Sequence, residues 1–114
     1  MSDLNRFIAE ALGKTVALWQ AEDDLYLRET TPEGLVIHTP CPHWDTSLDA
    51  ITREIEAAGY VWQVRGPRLI DGYAYFGELY AYGRLVSIAH ATTAAAALGE
   101  AFLLALAERK GQGR

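Results

Sequence analysis

Thr92-Thr93-Ala94-Ala95-Ala96-Ala97-Leu98-Gly99-Glu100-Ala101-Phe102-Leu103-Leu104-Ala105-Leu106-Ala107 is the stretch that decides the fold. Alanine and leucine dominate it, and both favour helix. Thr92 or Thr93 can supply the N-cap oxygen, and Arg109 and Lys110 follow where the helix dipole favours cations. A surface helix carries an apolar stripe and a polar back. Here Glu100 is the single charged residue between Ala94 and Ala107, so the helix is apolar almost all round. Such a rod needs cover on more than one side. A sheet can give one side; another helix or a second subunit must give the other.

Working backwards, the strands meant to cover it lie between residues 60 and 88. Tyr60-Val61-Trp62-Gln63-Val64 reads as a strand, broken or bulged at Gly66-Pro67. Asp71-Gly72 is a two-residue hairpin signal. The run 73–80 and Leu85-Val86-Ser87-Ile88 are further strands, joined around Tyr82-Gly83-Arg84. Within 73–80, Tyr73, Tyr75 and Leu79 share one face while Phe76 and Tyr80 share the other. A sheet apolar on both faces is either sandwiched or leaves a face for a partner.

The amino-terminal half adds two helices and a hairpin. Leu4, Phe7, Ile8, Ala11 and Leu12 have amphipathic helical spacing, with Ser2 or Asp3 as cap and Gly13 as stop. Thr15–Trp19 reads as a strand, and 21–24 as a polar turn. Residues 25–28 and 35–38 flank Pro32 and Gly34 as a hairpin. Pro40 and Pro42 make 39–44 a loop. A second helix starts near Asp45-Thr46-Ser47; Thr46 with Asp49 fits a capping box, and Asp45 and Ser47 are rival caps. Leu48, Ile51, Ile55 and Ala58 form its apolar face, and Gly59 ends it. The expected fold is α+β: a layered α/β/α sandwich in the order α-β-β-β-α-β-β-β-α. Its three helices pack on a mainly antiparallel sheet of four to six strands.

The 114 residues suit one domain spanning 1–110, with 111–114 as a disordered tail. Half the residues are hydrophobic and 22% are charged, which excludes global disorder. The net charge of −5 argues against nucleic acid as a partner. The lone Cys41 cannot form an internal disulfide and suits a reducing cytosol. The start of the chain lacks the basic-then-apolar order of a signal peptide, and Gly99 and Glu100 interrupt the longest apolar run, so a cytoplasmic protein without a membrane span is expected.

Two segments together resemble a known family. Pro42-His43-Trp44-Asp45-Thr46-Ser47-Leu48-Asp49-Ala50 opens a helix with a Pro-x-aromatic step and capping residues. Ala91-Thr92-Thr93 followed by Ala97-Leu98-x-x-Ala101-x-Leu103 closes the chain. This pairing, with strands between, resembles the phage ABA sandwich domain of small phage and prophage proteins. The resemblance implies an α/β/α layered fold, a host-cell cytosol and no established activity. It brings no catalytic residues.

His38, Cys41, His43 and Asp45 are all metal-ligand types within eight positions. Their His-x2-Cys-x-His-x-Asp spacing matches no common structural zinc pattern, so an ordinary proline-rich loop is the favoured reading. A Cys41–His43 nucleophile pair lacks an orienting group and oxyanion donors. His90 reads as a core or cap-adjacent residue before a ligand-facing one. Tyr60, Trp62, Tyr73, Tyr75, Tyr80 and Tyr82, with Arg65, Arg68 and Arg84, contain the parts of a stacking platform with phosphate contacts. Core and interface packing is the simpler reading of those aromatics.

The candidate ligand or partner surface is therefore His38, Cys41, His43, Trp44, Asp45, Trp62, Arg65 and Tyr75. No catalytic residue, metal or cofactor is assigned. The expected function is a non-enzymatic interaction module, dimeric through the last helix or an open sheet face. A nucleotide-like small-molecule binder is the alternative, and a hydrolase centred on 38–45 comes third.

Overall fold

The computed structural model describes the backbone of residues 3–19, 24–68 and 74–112 and the side chains of 4–16, 26–66 and 75–110. The elements follow the expected order: α1 (Asp3–Ala11), β1 (Thr15–Trp19), β2 (Asp24–Thr30), β3 (Val36–Pro40), α2 (Leu48–Ala57), β4 (Val61–Arg68), β5 (Ala74–Ala81), β6 (Arg84–Ala91) and α3 (Ala94–Gln112). Residues 21–23 of the expected polar turn, the Asp71-Gly72 turn, Tyr73 and the last two residues lie outside the described residues, and Asp24, also expected in that turn, opens β2. Residues 111 and 112, expected in the tail, belong to the last turn of α3.

All strand pairing is antiparallel, and the strands divide into two three-stranded sheets, β1-β2-β3 and β4-β5-β6. Sequence alone suggested one sheet; the chain leaves β3 through Pro40 and Pro42 and runs into α2 before β4 begins. The pairing of β4 with β5 shifts register between Arg65 and Arg68, at the Gly66-Pro67 break. Burial alternates along β4: Trp62 and Val64 are half-buried, whereas Val61, Gln63 and Arg65 are exposed. The row Val64, Gly77 and Ala89 crosses the inner face, with small residues at its centre and one end. Gly77 is there for a reason of space. A Cβ on it would stand 2.7 Å from the α3 backbone at Ala97 and Leu98. Glycine in a strand commonly marks such a close approach.

Helix α3 thus lies flat on the β4–β6 sheet, and α1 and α2 pack on it as well. The cover demanded by its composition comes from within the chain. Ala97, Leu98, Ala101, Phe102 and Ala105 are buried, and Leu104 is the large side chain left half in water. Thr93 caps the helix, its Oγ1 accepting from the Ala96 amide at 3.2 Å. The Ser87 hydroxyl of β6 donates to the Ala101 carbonyl at 2.7 Å inside the core, a side-chain bond fixing helix to sheet.

The two shorter helices keep most of their expected faces on the core, Leu4, Ile8 and Ala11 with the following Leu12 for α1 and Ile51 and Ile55 with the capping Ala58 for α2, with one large residue of each left outside. In α1, Phe7 is 48% exposed, while Asn5, Ile8 and Ala9 are buried. In α2, Leu48 is exposed and Thr52 is buried beside Ile51 and Ile55. Thr52 can go inside because its hydroxyl donates back to the Leu48 and Asp49 carbonyls. Ser47 is the cap: its Oγ accepts from the Ala50 amide at 3.2 Å, which corrects the capping box expected on Thr46. Gly59 ends α2 with φ of 92°, and Gly13 follows α1 with φ of 79°.

Candidate functional site

The segment 38–45 leads from β3 into α2 and works as a joint. His38 and His43 are exposed, whereas Cys41 and Trp44 belong to the core. Asp45 holds α1: the Asn5 side-chain amide donates to Asp45 Oδ1 at 2.9 Å, and the Asp45 backbone amide donates to Asn5 Oδ1 at 3.0 Å. The His43 carbonyl accepts from the Ser47 amide at 2.8 Å, shaping the turn before α2. Burial, reinforced by the Asp45 charge and only partly offset by Lys14, pushes the Cys41 thiol up to about 11. That direction keeps the free thiol in its weakly nucleophilic protonated form near neutral pH. Among the described residues no group of three or more His, Cys, Asp or Glu side chains is placed to hold a metal ion.

The aromatic and arginine residues of the second half are sorted by strand alternation. Trp62 and Tyr75 lie on the α3 side of the β4–β6 sheet and are half-buried. Arg65 lies on the outer side, with Phe76 and His90 in the same row. The Phe76 and His90 rings meet with centroids 5.7 Å apart. Arg65 Nε stands 3.0 Å from Glu78 Oε1, in an ion pair without the alignment of a hydrogen bond, and Glu78 is only 6% exposed. Trp62, Arg65 and Tyr75 therefore do not converge on one ligand. Exposed Val61, Leu85 and Ile88 leave the sheet partly apolar beyond its packed core.

Among the described residues, two surfaces offer binding capacity that the packing leaves unused. The first is the outer edge of β3, which pairs with no further strand among the described residues and whose five residues are all exposed. The Thr31 amide donates to the Leu35 carbonyl at 2.8 Å, which fixes the phase of the β2–β3 ladder. From that phase, Ile37 and Thr39 bond to β2, while the backbone groups of Val36, His38 and Pro40 face away from it. Pro40 is tolerated because its missing N–H falls on the outer side. The second surface is a groove of about 470 Å³ at the end of the β5–β6 hairpin, lined by Tyr60, Ala81, Tyr82, Arg84, Leu85, Val86, Ala105, Glu108 and Arg109. Its residues come from the α2–β4 junction, the hairpin tip and the last turns of α3, a combination visible only after folding. Of these, the sequence pointed to Tyr60, Tyr82 and Arg84 as platform parts and missed Glu108 and Arg109.

No family model, curated protein or solved structure matches the chain, so the two surfaces are read from their own chemistry.

Proposed function

We propose that the chain is a small non-enzymatic interaction module that pairs with a second copy of itself through the outer edge of β3. The observation that carries this reading is the exposed edge strand Val36–Pro40, with Val36 and Ile37 about half in water. Unpaired strand edges are templates for another strand. Two copies of one edge related by a two-fold axis meet antiparallel, which is the isologous arrangement commonest among oligomers. An axis at His38 pairs His38 with its own copy through two reciprocal bonds. Each Val36 amide then donates to the Pro40 carbonyl opposite, so the proline costs only its own missing donor. Four backbone hydrogen bonds and a few apolar contacts support a weak dimer, with Kd on the order of 100 µM.

Sedimentation of the purified chain up to about 1 mM tests this. The expected result is a reversible dimer that Val36→Lys and His38→Pro both reduce to monomer with unchanged circular dichroism. A wild-type monomer throughout, or variants that dimerise like wild type, overturns the reading. The last helix is not needed as the interface, because its apolar surface is covered within the chain. The resemblance to the phage ABA sandwich family supports a phage or prophage accessory setting in a host cytosol. No helix among the described residues is long and apolar enough to cross a membrane, which is compatible with that setting.

A further inference from the structure

We propose that the groove between the β5–β6 hairpin tip and the end of α3 binds a small aromatic anion, a planar ring carrying one phosphate or carboxylate group. This site does not depend on self-association. Its volume of about 470 Å³ falls within the usual range for small-molecule sites. The lining combines an apolar floor with cationic groups at its rim. Tyr60 is nearly fully buried, braced edge-on by Phe102 at 6.4 Å, so the floor is rigid. The Arg109 guanidinium lies 4.7 Å above the Tyr60 ring, and its Nη2 donates to the Ala58 carbonyl at 3.0 Å. That fixes the plane of Arg109 while leaving other N–H donors free, since a guanidinium has five. Arg84, across the groove, enters neither of the two ion pairs among the described residues, Arg53–Asp49 and Arg65–Glu78. Glu108 is the single carboxylate in the lining, so two guanidiniums face one acid in a chain whose net charge is −5. The local sign is opposite to the global one, which favours an anion here.

Tyr82 supplies the independent observation. It is 104% exposed and sits at φ of 54°, followed by Gly83 at 76°. Positive φ at both central residues is the type I′ hairpin turn, where Asn-Gly is the favoured pair. A tyrosine there is conformationally disfavoured and gains no burial in return. Strain of that kind at a non-glycine residue is concentrated at ligand clamps. A ring held at the groove mouth can close over a planar ligand resting near Tyr60, while Arg84 and Arg109 take its anionic group in the bidentate manner suited to phosphate or carboxylate.

Amide chemical-shift titrations of the full chain with phenyl phosphate, benzoate, adenosine monophosphate and inorganic phosphate provide the test. The expected result is saturable shifts at Tyr60, Tyr82, Arg84 and Arg109 with at least one aromatic anion, and none of comparable affinity with inorganic phosphate. Phenyl phosphate bound more tightly than benzoate names phosphate as the preferred group, and the reverse order names carboxylate. Arg84→Gln should weaken binding about tenfold, as expected for losing a charged hydrogen-bond donor, and Glu108→Gln should strengthen it. Tyr82→Asn should weaken binding while raising the melting temperature, a combination that a purely structural tyrosine would not give. The proposal is overturned by the absence of saturable shifts with every aromatic anion, by equal binding of inorganic phosphate, or by affinities unchanged in Arg84→Gln and Tyr82→Asn.

Discussion

At the scale of single residues, two glycines and one cysteine show how the surroundings decide the outcome of the same kind of change. Gly77→Ala places a methyl 2.7 Å from the α3 main chain, which cannot move without lifting the helix from the sheet. It should cost about 3 kcal/mol, read as a shift of the urea midpoint. Gly99→Ala also adds a methyl, but what it meets is the end of the Leu4 side chain at 3.0 Å. Leu4 can rotate, and alanine is favoured over glycine in a helix by about 1 kcal/mol, so the net change should stay within about 1 kcal/mol of zero. Cys41 has its thiol raised from 9.0 to about 11 by burial first and the Asp45 charge second. At pH 8 its alkylation should run about 100-fold slower in the folded chain than in the denatured one, following the thiolate fraction. Linkage gives the sign for stability. The thiol ionises more easily unfolded than folded, so its contribution is complete below pH 9.0 and is lost as pH rises towards 11. Across that window the denaturation midpoint should fall further in wild type than in Cys41→Ala; equal falls would refute the assignment.

At the scale of elements, the reciprocal pair between Asn5 and Asp45 joins α1 to the start of α2, forty positions away. Asn5 is buried, so removing either partner leaves an unmet polar group on the other. Asn5→Ala and Asp45→Ala should each cost about 2 kcal/mol, and the double variant should cost clearly less than their sum, with a coupling of about 1 kcal/mol. Additive costs would mean the two bonds are incidental. This pair also marks the limit of what local sequence pattern encodes. Helix α1 was legible from its apolar spacing and Gly13, but the burial of Asn5 and the exposure of Phe7 were not, because Asn5 goes inside to meet a distant loop. Helix α3 was legible because its composition left no polar side, and the need for cover on several sides was met as expected. The end of β3 is hidden in the sequence: two nearby prolines point to a loop from Thr39, yet the outward phase of the ladder lets Pro40 join the strand. The 38–45 cluster had the right residue types for a metal or a nucleophile, but residue type says nothing about burial, and burial took Cys41 and Trp44. The groove was largely hidden because Arg84 and Arg109 come to line it together only through the hairpin register and the length of α3.

At the scale of the whole molecule, the radius of gyration is 15.2 Å and the extents are 49 × 36 × 22 Å. A compact chain of this length would have a radius of about 13 Å. The excess reflects a divided architecture. The β4–β6 sheet with α3 forms the dense part, while the β1–β3 sheet meets the rest mainly where α1 packs on β1 and where Leu27 enters the core. Stability should follow that division. Strands with few buried apolar contacts open at lower free energy than the core elements. Amide exchange should therefore be fastest in β1–β3 and slowest in β5 and the middle of α3. Within β3 the ladder phase makes a sharper forecast. In dilute solution the Ile37 and Thr39 amides, bonded to β2, should be the protected ones, and those of Val36 and His38 should exchange freely. If a second copy pairs at this edge, raising the protein concentration should slow exchange at Val36 and His38, and the β1–β3 sheet as a whole should gain protection through mass action. Exchange at the core amides should not change, because they do not report on the edge. Protection of Val36 and His38 that is independent of concentration would place their partners inside the monomer and remove the basis for pairing.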